Sequence, residues 1–188
     1  MLTMYLVRHG ETEENRAGVL QGITPGHLTP LGREQAEALG ESLKDVSFDA
    51  VVSSPLQRAV DTTNIIMRGR TAVDIELCDL LMERDWGSLT LWKCADAKAL
   101  AKFPDDVETL EHGMQRARQF VNLMLGRYDG KRILCVGHGF IGRCILAQIY
   151  GIDKSRVQRM ENAECRIVEV RGMTGGCAPT SADEASAN

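Results

Sequence analysis

The sequence carries no excess of positive charge. Its 22 Lys and Arg stand against 26 Asp and Glu, a formal net charge of −4, so nucleic-acid binding, which calls for a basic surface, gains no support. Net charge does not say where charges lie, and a local positive pocket stays open. No apolar stretch is long enough to span a bilayer, and the first motif begins almost at Met1, so neither a membrane span nor a leader is expected. The six cysteines contain no Cys-x-x-Cys pair and several lie in apolar runs. Reduced, mostly buried thiols in a cytoplasmic protein are the expectation. What is present is 188 residues, 44% hydrophobic and 26% charged, enough for one globular domain with a substantial core.

Three short apolar runs each break into polar residues. Residues 4–7 lead into Arg8-His9-Gly10, residues 49–54 into Pro55-Leu56-Gln57-Arg58, and residues 133–136 into Gly137-His138-Gly139. Runs this short read as buried strands, and in open α/β sheets the carboxyl edge of the strands is where ligands bind. Gly10 lets the backbone turn and a ligand approach closely. Between strands, Thr29 as N-cap and Pro30 at the first position open a helix running to about Lys44, burying Ala36, Leu39 and Leu43. Ser54 as N-cap, Pro55 and Gln57 make a capping-box start that puts Arg58 in a first helical turn. Residues 92–128 are predicted helical, with Val107, Leu110, Met114, Ala117, Val121 and Met124 at three- and four-residue steps. A short link around Phe103-Pro104-Asp105 joins two helical segments there. Ile141, Ile145 and Ile149 mark a further helix, residues 164–170 a last strand, and the tail from Gly172 is too polar to order itself. The domain is therefore expected over 1–171, with 172–188 as a disordered tail. GHGFIG is also a literal Gly-x-Gly-x-x-Gly, but too little chain follows it for a dinucleotide fold.

The segments RHGETEEN (8–15), SSPLQRAVDT (53–62), DLLMERDWGSLTL (79–91) and GHG (137–139), in this order, resemble the signatures of the histidine phosphatase superfamily, which includes metal-free phosphatases and phosphoglycerate mutases. The resemblance covers roughly residues 3–170. It implies an α/β fold, three-layer α/β/α with a mostly parallel central sheet. It implies that His9 is phosphorylated, that Arg8 and Arg58 bind the phosphoryl group, that His138 is the second histidine, and that Glu83 is the proton donor. Asp85 is a competing carboxylate. Asn15, Gln21, Gly22 and Gly139 match substrate-binding positions, and no metal or other cofactor is implied. Relatives often carry an acidic residue where this chain has Pro25-Gly26-His27, and usually hold a longer insertion before the long helix, which Glu108-Thr109 resembles in its opening.

Phosphoryl transfer fits these residue types on its own terms, because catalysis is mostly positioning and stabilisation of diffuse negative charge. Two arginines offer donor forks that stay charged, so no metal is needed; Glu11, Glu13 and Glu14 read as a solvated loop. A neutral His9 attacks phosphorus, Glu83 protonates the leaving alkoxide and then activates water, and His138 adds positive charge if protonated. Three functions compete: a phosphatase for small phosphate monoesters, a phosphoglycerate mutase, and a non-catalytic binding module. The short 92–108 segment favours the phosphatase, Lys93, Lys98 and Lys102 keep the mutase in play, and an intact set of motifs speaks against the binding module. The expected partner is a small phosphate ester, with no nucleic acid or membrane, for a monomer or homodimer.

Overall fold

The structure, a computed structural model, describes residues 1–70 and 73–171; the tail read as disordered, 172–188, lies outside them. Five strands, β1 (Leu2–Arg8), β2 (Ala50–Ser53), β3 (Ile75–Leu77), β4 (Arg132–Gly137) and β5 (Cys165–Val170), form one sheet in the order β3-β2-β4-β1-β5. The first four run parallel and β5 is antiparallel to β1. The helices are α1 (Glu13–Ala17), α2 (Pro30–Ser42), α3 (Gln57–Ile66), α4 (Cys94–Lys98), α5 (Leu110–Tyr128) and α6 (Gly139–Tyr150). None of the helices among the described residues is long and apolar enough to cross a membrane.

The central strands are apolar throughout because both their faces are covered. Met4 and Leu6 of β1, with Ile133 and Cys135 of β4, face α5 and α6 and pack in one cluster with Ala117, Phe120, Met124, Ile141 and Ile145. Their neighbours Tyr5, Val7, Leu134 and Val136 face the other way, clustering with Leu43, Ala59 and Ile66 around α2 and α3. Each fully buried side chain of this size contributes roughly 1.5–3 kcal/mol. A one-residue slip of the β1–β4 register, Met4 opposite Ile133 and Val7 opposite Val136, would exchange the two faces at once. The result is the three-layer α/β/α architecture, and it brings the polar ends of β2, β4 and β1 side by side.

Two local expectations are corrected. Residues 92–128 are not continuously helical: α4 has a single turn, and α5 starts only at Leu110. Pro104 lacks a backbone donor and disfavours helix at the residue before it, and Asp106 is occupied by the amide and hydroxyl of Ser88, at 2.8 and 3.1 Å. Val107, apolar at helical spacing, belongs to a separate small core with Leu20, Leu89 and Ala97, while Leu110 is exposed. Thr109 caps α5 by accepting from the His112 amide. Ser54 does not cap α3 either. That helix begins at Gln57 with no side-chain cap; the serine hydroxyl accepts from the Leu56 amide at 3.3 Å, ahead of the helix, and pairs with His138.

Just beyond β1 the chain presses against the start of α2. A Cβ on Gly32 would lie 2.1 Å from the Glu11 carbonyl oxygen, and one on Gly10 would lie 2.3 Å from the Gly32 carbonyl oxygen. Both obstacles are backbone, which cannot rotate away. Gly32→Ala is expected to lower stability by about 1–3 kcal/mol, the usual cost of overpacking, read as a lower urea midpoint with an unchanged slope. An unchanged midpoint would show that the 10–12 turn is not seated on α2.

Candidate active site

The ends of β1 and β4 carry one histidine each. The His9 amide donates to the Gly137 carbonyl (3.0 Å), and the His9 carbonyl accepts from Ala163 (3.1 Å), so its backbone is fixed from both sides. Its Nδ1 lies 2.7 Å from the Gly10 carbonyl oxygen. A carbonyl can only accept, so Nδ1 carries the proton and Nε2 carries the lone pair. That lone pair accepts from Arg58 Nε at 3.3 Å. The same N–H lies 3.2 Å from His138 Nδ1, which leaves the His138 proton on Nε2, donated to Ser54 Oγ at 2.8 Å. The two imidazoles are 5.0 Å apart between centroids. Burial, reinforced by Arg58, pushes both well below the ordinary value of 6.5. Both are thereby held toward the neutral form, so the condition under which His138 would add positive charge, its protonation, is disfavoured here.

Arg58 is 0% exposed. Its Nη1 donates to the carbonyls of Thr24 and Pro25 and its Nη2 to that of Gly22, at 2.7 Å. The donor fork is therefore spent on the 22–25 loop, and only Nε faces the histidines, a correction to its reading as an open fork. Burial pulls its pKa down to about 10, opposed chiefly by Glu83. Arg8 donates through Nη1 to the Met160 carbonyl (2.7 Å). Its Nε is buried with no hydrogen-bond partner among the described residues, beside Gly139 at the start of α6. Burial lowers the Arg8 pKa too, and again Glu83 is the main opposing charge. The Glu83 carboxylate accepts from the Phe140 amide at 3.1 Å and the Arg84 amide at 2.9 Å, at the positive N-terminal end of α6. Asp85 turns away onto the Gly87 amide, at 2.9 Å.

Around this centre the remaining predicted positions hold structure together. Asn15 and Thr12 cap α1 reciprocally, and Asn15 Oδ1 accepts from Asn162, whose Nδ2 also donates to the His9 carbonyl at 3.1 Å. Gln21 is buried, donating to Glu14 (2.9 Å) and accepting from Thr12 (3.1 Å). It fits only because Gly26 has no side chain, since a Cβ there would lie 1.7 Å from Gln21 Nε2. Glu11, Glu13 and Glu14 are not a free solvated loop: the last two lie in α1, and Glu11 accepts from Thr29 Oγ1 at 2.9 Å. Among the described residues no group of three or more His, Cys, Asp or Glu is arranged to hold a metal ion. Ser54 as a partner of His138, Asn162 and the Met160 carbonyl were not anticipated as site residues. No motif marks 160–163, because its contacts with His9 and Arg8 run largely through backbone atoms.

A family model described as the histidine phosphatase superfamily (branch 1) matches residues 4–183. The chain is 34% identical over 157 residues to an uncharacterized phosphatase, PhoE, of Bacillus subtilis, covering 81% of this chain and 80% of that one. It is 31% identical over 182 residues to a probable phosphoglycerate mutase, GpmB, of Proteus mirabilis, covering 90% and 85%. The solved structure of the α-ribazole phosphatase of Shigella flexneri superposes with a TM-score of 0.81 at 26% identity, covering 90% and 91%.

Two buried neutral histidines have a consequence for stability. Unfolded, they take up protons near their ordinary value of 6.5; folded, they resist until well below it. Between those points the unfolded chain binds more protons, so stability falls as pH falls. Denaturant midpoints are expected to drop from about pH 6.5 to 5, before most carboxylates titrate, and to drop less in a His9→Gln/His138→Gln double variant. Equal slopes in the two proteins would contradict neutral burial.

Proposed function

The chain belongs to the histidine phosphatase superfamily, branch 1, and from that premise we propose that it is a metal-independent phosphatase hydrolysing small phosphate monoesters through a phosphohistidine on His9. Membership makes it a phosphate-ester hydrolase or phosphotransferase; the substrate class and the intermediate are the proposal. The observation that carries it is the His9 tautomer: with Nδ1 tied to the Gly10 carbonyl, the lone pair is on Nε2, where it accepts from Arg58 Nε across from His138. A phosphoryl oxygen arriving there replaces the imidazole nitrogens as acceptor for Arg58 Nε–H and meets the unpartnered Arg8 Nε–H. Both donors lie in a water-poor setting where a hydrogen bond to charge is strong.

In this reading His9 Nε2 attacks phosphorus and the ester P–O bond breaks. The departing alkoxide takes the proton of the Glu83 carboxylic acid. Water then attacks the phosphohistidine, the P–N bond breaks, and the Glu83 carboxylate accepts the water's proton. The cation left on phosphorylated His9 is stabilised by the Gly10 carbonyl on Nδ1–H. His138 and Ser54 hold the shape of the pocket and donate as neutral groups.

The choice of phosphatase over mutase rests on the cleft beside Glu83. It has a volume of about 480 Å³, and its lining includes Asp79, Glu83, Asp85, Asp105, Asp106 and Glu108. The cations of the lining, Arg116 and any protonated His112, are both bound to Glu108. Lys93 lies on the Ala17 carbonyl and Lys102 on Asp105. Such a cleft suits a neutral, hydroxyl-bearing leaving group and repels the carboxylate of a phosphoglycerate. Phosphate release from a sugar phosphate is expected to exceed any conversion of 3- to 2-phosphoglycerate, and a chelator is expected to leave the rate unchanged. Isomerisation outrunning hydrolysis would make the mutase the better reading; activity lost to chelation and restored by a divalent cation would overturn metal independence.

A further inference from the structure

We infer that Arg116 is the residue that positions Glu83 for proton transfer, gripping the backbone of residues 80–83, and that Glu108 in turn holds Arg116; the inference rests on the reading of Glu83 as general acid. Glu83 lies in a stretch with no strand or α-helix to hold it, between the end of β3 and α4. Its carboxylate is fixed by the amides of Arg84 and Phe140, but those contacts place the carboxylate only if the backbone beneath it is placed too. Arg116, in the second turn of α5, supplies that support. Its Nη1 donates to the carbonyls of Leu80 (3.2 Å) and Met82 (2.9 Å), and its Nη2 reaches the carbonyl of Glu83 itself at 3.4 Å.

A guanidinium that spans three carbonyls must be held against rotation, and Glu108 does this. Its side chain is 6% exposed and that of Arg116 12%, and the two meet at two points, Nε to Oε1 at 2.7 Å and Nη2 to Oε2 at 2.8 Å. Such two-point pairing fixes the plane of the guanidinium as well as its position. Glu108 also ties down the chain that follows Glu83. Its carbonyl accepts from Arg84 Nε (2.8 Å), its amide donates to the Asp85 carbonyl (2.9 Å), and its Oε2 accepts from the Asp85 amide (3.3 Å). Residues 80–85 are thus clamped from one side by Arg116 and Glu108 and from the other by the start of α6. Burial pushes the Glu108 carboxyl up, but Arg116, His112 and the Asp85 amide together hold it below the usual carboxylate range, so the pair stays ionised while the enzyme works.

Arg116 and Glu108 border the cleft, but the Arg116 guanidinium is taken up by Glu108 and by the 80–83 carbonyls, so Arg116 acts through Glu83 as a positioning residue, and its signature differs from that of a general loss of folding. A displaced acid harms only leaving groups that need a proton. Kinetics are measured on glycerol 2-phosphate, a poor leaving group, and p-nitrophenyl phosphate, a good one, for wild type, Glu83→Gln, Arg116→Lys and the double variant. Lysine keeps the charge beside Glu108 but loses the fork. Arg116→Lys is expected to lower kcat/KM for glycerol 2-phosphate by about 10²-fold, the scale of a 1 Å misplacement, with much less effect on p-nitrophenyl phosphate. In the Glu83→Gln background it is expected to add little further loss on glycerol 2-phosphate. If Arg116→Lys does not fold, Glu108→Gln is expected to shift the same substrate ratio in the same direction. Glu83→Gln showing the leaving-group signature while Arg116→Lys, or Glu108→Gln in its place, leaves the ratio at the wild-type value would overturn the inference alone. Equal losses on both substrates in Glu83→Gln would overturn the reading of Glu83 and the inference with it.

Discussion

A guanidinium shut away from water is the constraint on which the rest of the molecule depends. Arg58 is fully buried, and no carboxylate among the described residues touches it; Glu83 and Glu14 act on it only through space. Moving a charge out of water costs several kcal/mol even after relaxation, and an unpaired donor adds to that. Five contacts offset the cost: three backbone carbonyls of the 22–25 loop and two imidazole nitrogens. Hydrogen bonds to a charged group contribute roughly 1.5–3 kcal/mol each, net, so together these contacts offset a penalty of that order. The loop, the start of α3 and the ends of β1 and β4 therefore all take part in holding this one buried cation. The parallel order β2-β4-β1 is the sheet arrangement that puts them there.

That same cation acts on the histidines. Burial holds both imidazoles neutral and the neighbouring guanidinium reinforces it. The Gly10 carbonyl fixes the His9 tautomer, and Arg58 donates to the nitrogen left with the lone pair. In the proposed reaction such an imidazole needs no base to activate it, only a phosphorus within reach. Glu83, the acid of the proposed reaction, is held separately, its carboxylate by the amides of Arg84 and Phe140 and its backbone by Arg116, which pairs with Glu108.

Most of this arrangement was legible in the residues. The apolar runs that became β1, β2 and β4 are buried on both faces, so their pattern was unbroken, and the residues that end them had to emerge at one edge. The long-range partners were less legible. Ser54 looked like a helix cap because Pro55 and Gln57 follow it, but its hydroxyl takes the Leu56 amide, one residue short of the helix, and His138, 84 positions away. Val107 matched the helical period of α5 by accident of spacing, and Pro104 with Asp106 redirected the chain. Arg58 was expected to present its fork outward, and the sequence holds no sign that backbone carbonyls of residues 22, 24 and 25 take it. Contacts through backbone atoms leave no mark in side-chain identity, which is also why the Met160 carbonyl carried no signal.

The central claim is that His9 Nε2 carries the phosphoryl group, and it is tested most directly by locating that group on the ring. Turnover of a labelled phosphate ester stopped without acid, followed by peptide mapping and phosphorus NMR against the two phosphohistidine isomers, distinguishes the nitrogens. The account predicts phosphate on His9 and on Nε2. Phosphate on Nδ1 of His9, or on His138, would contradict it.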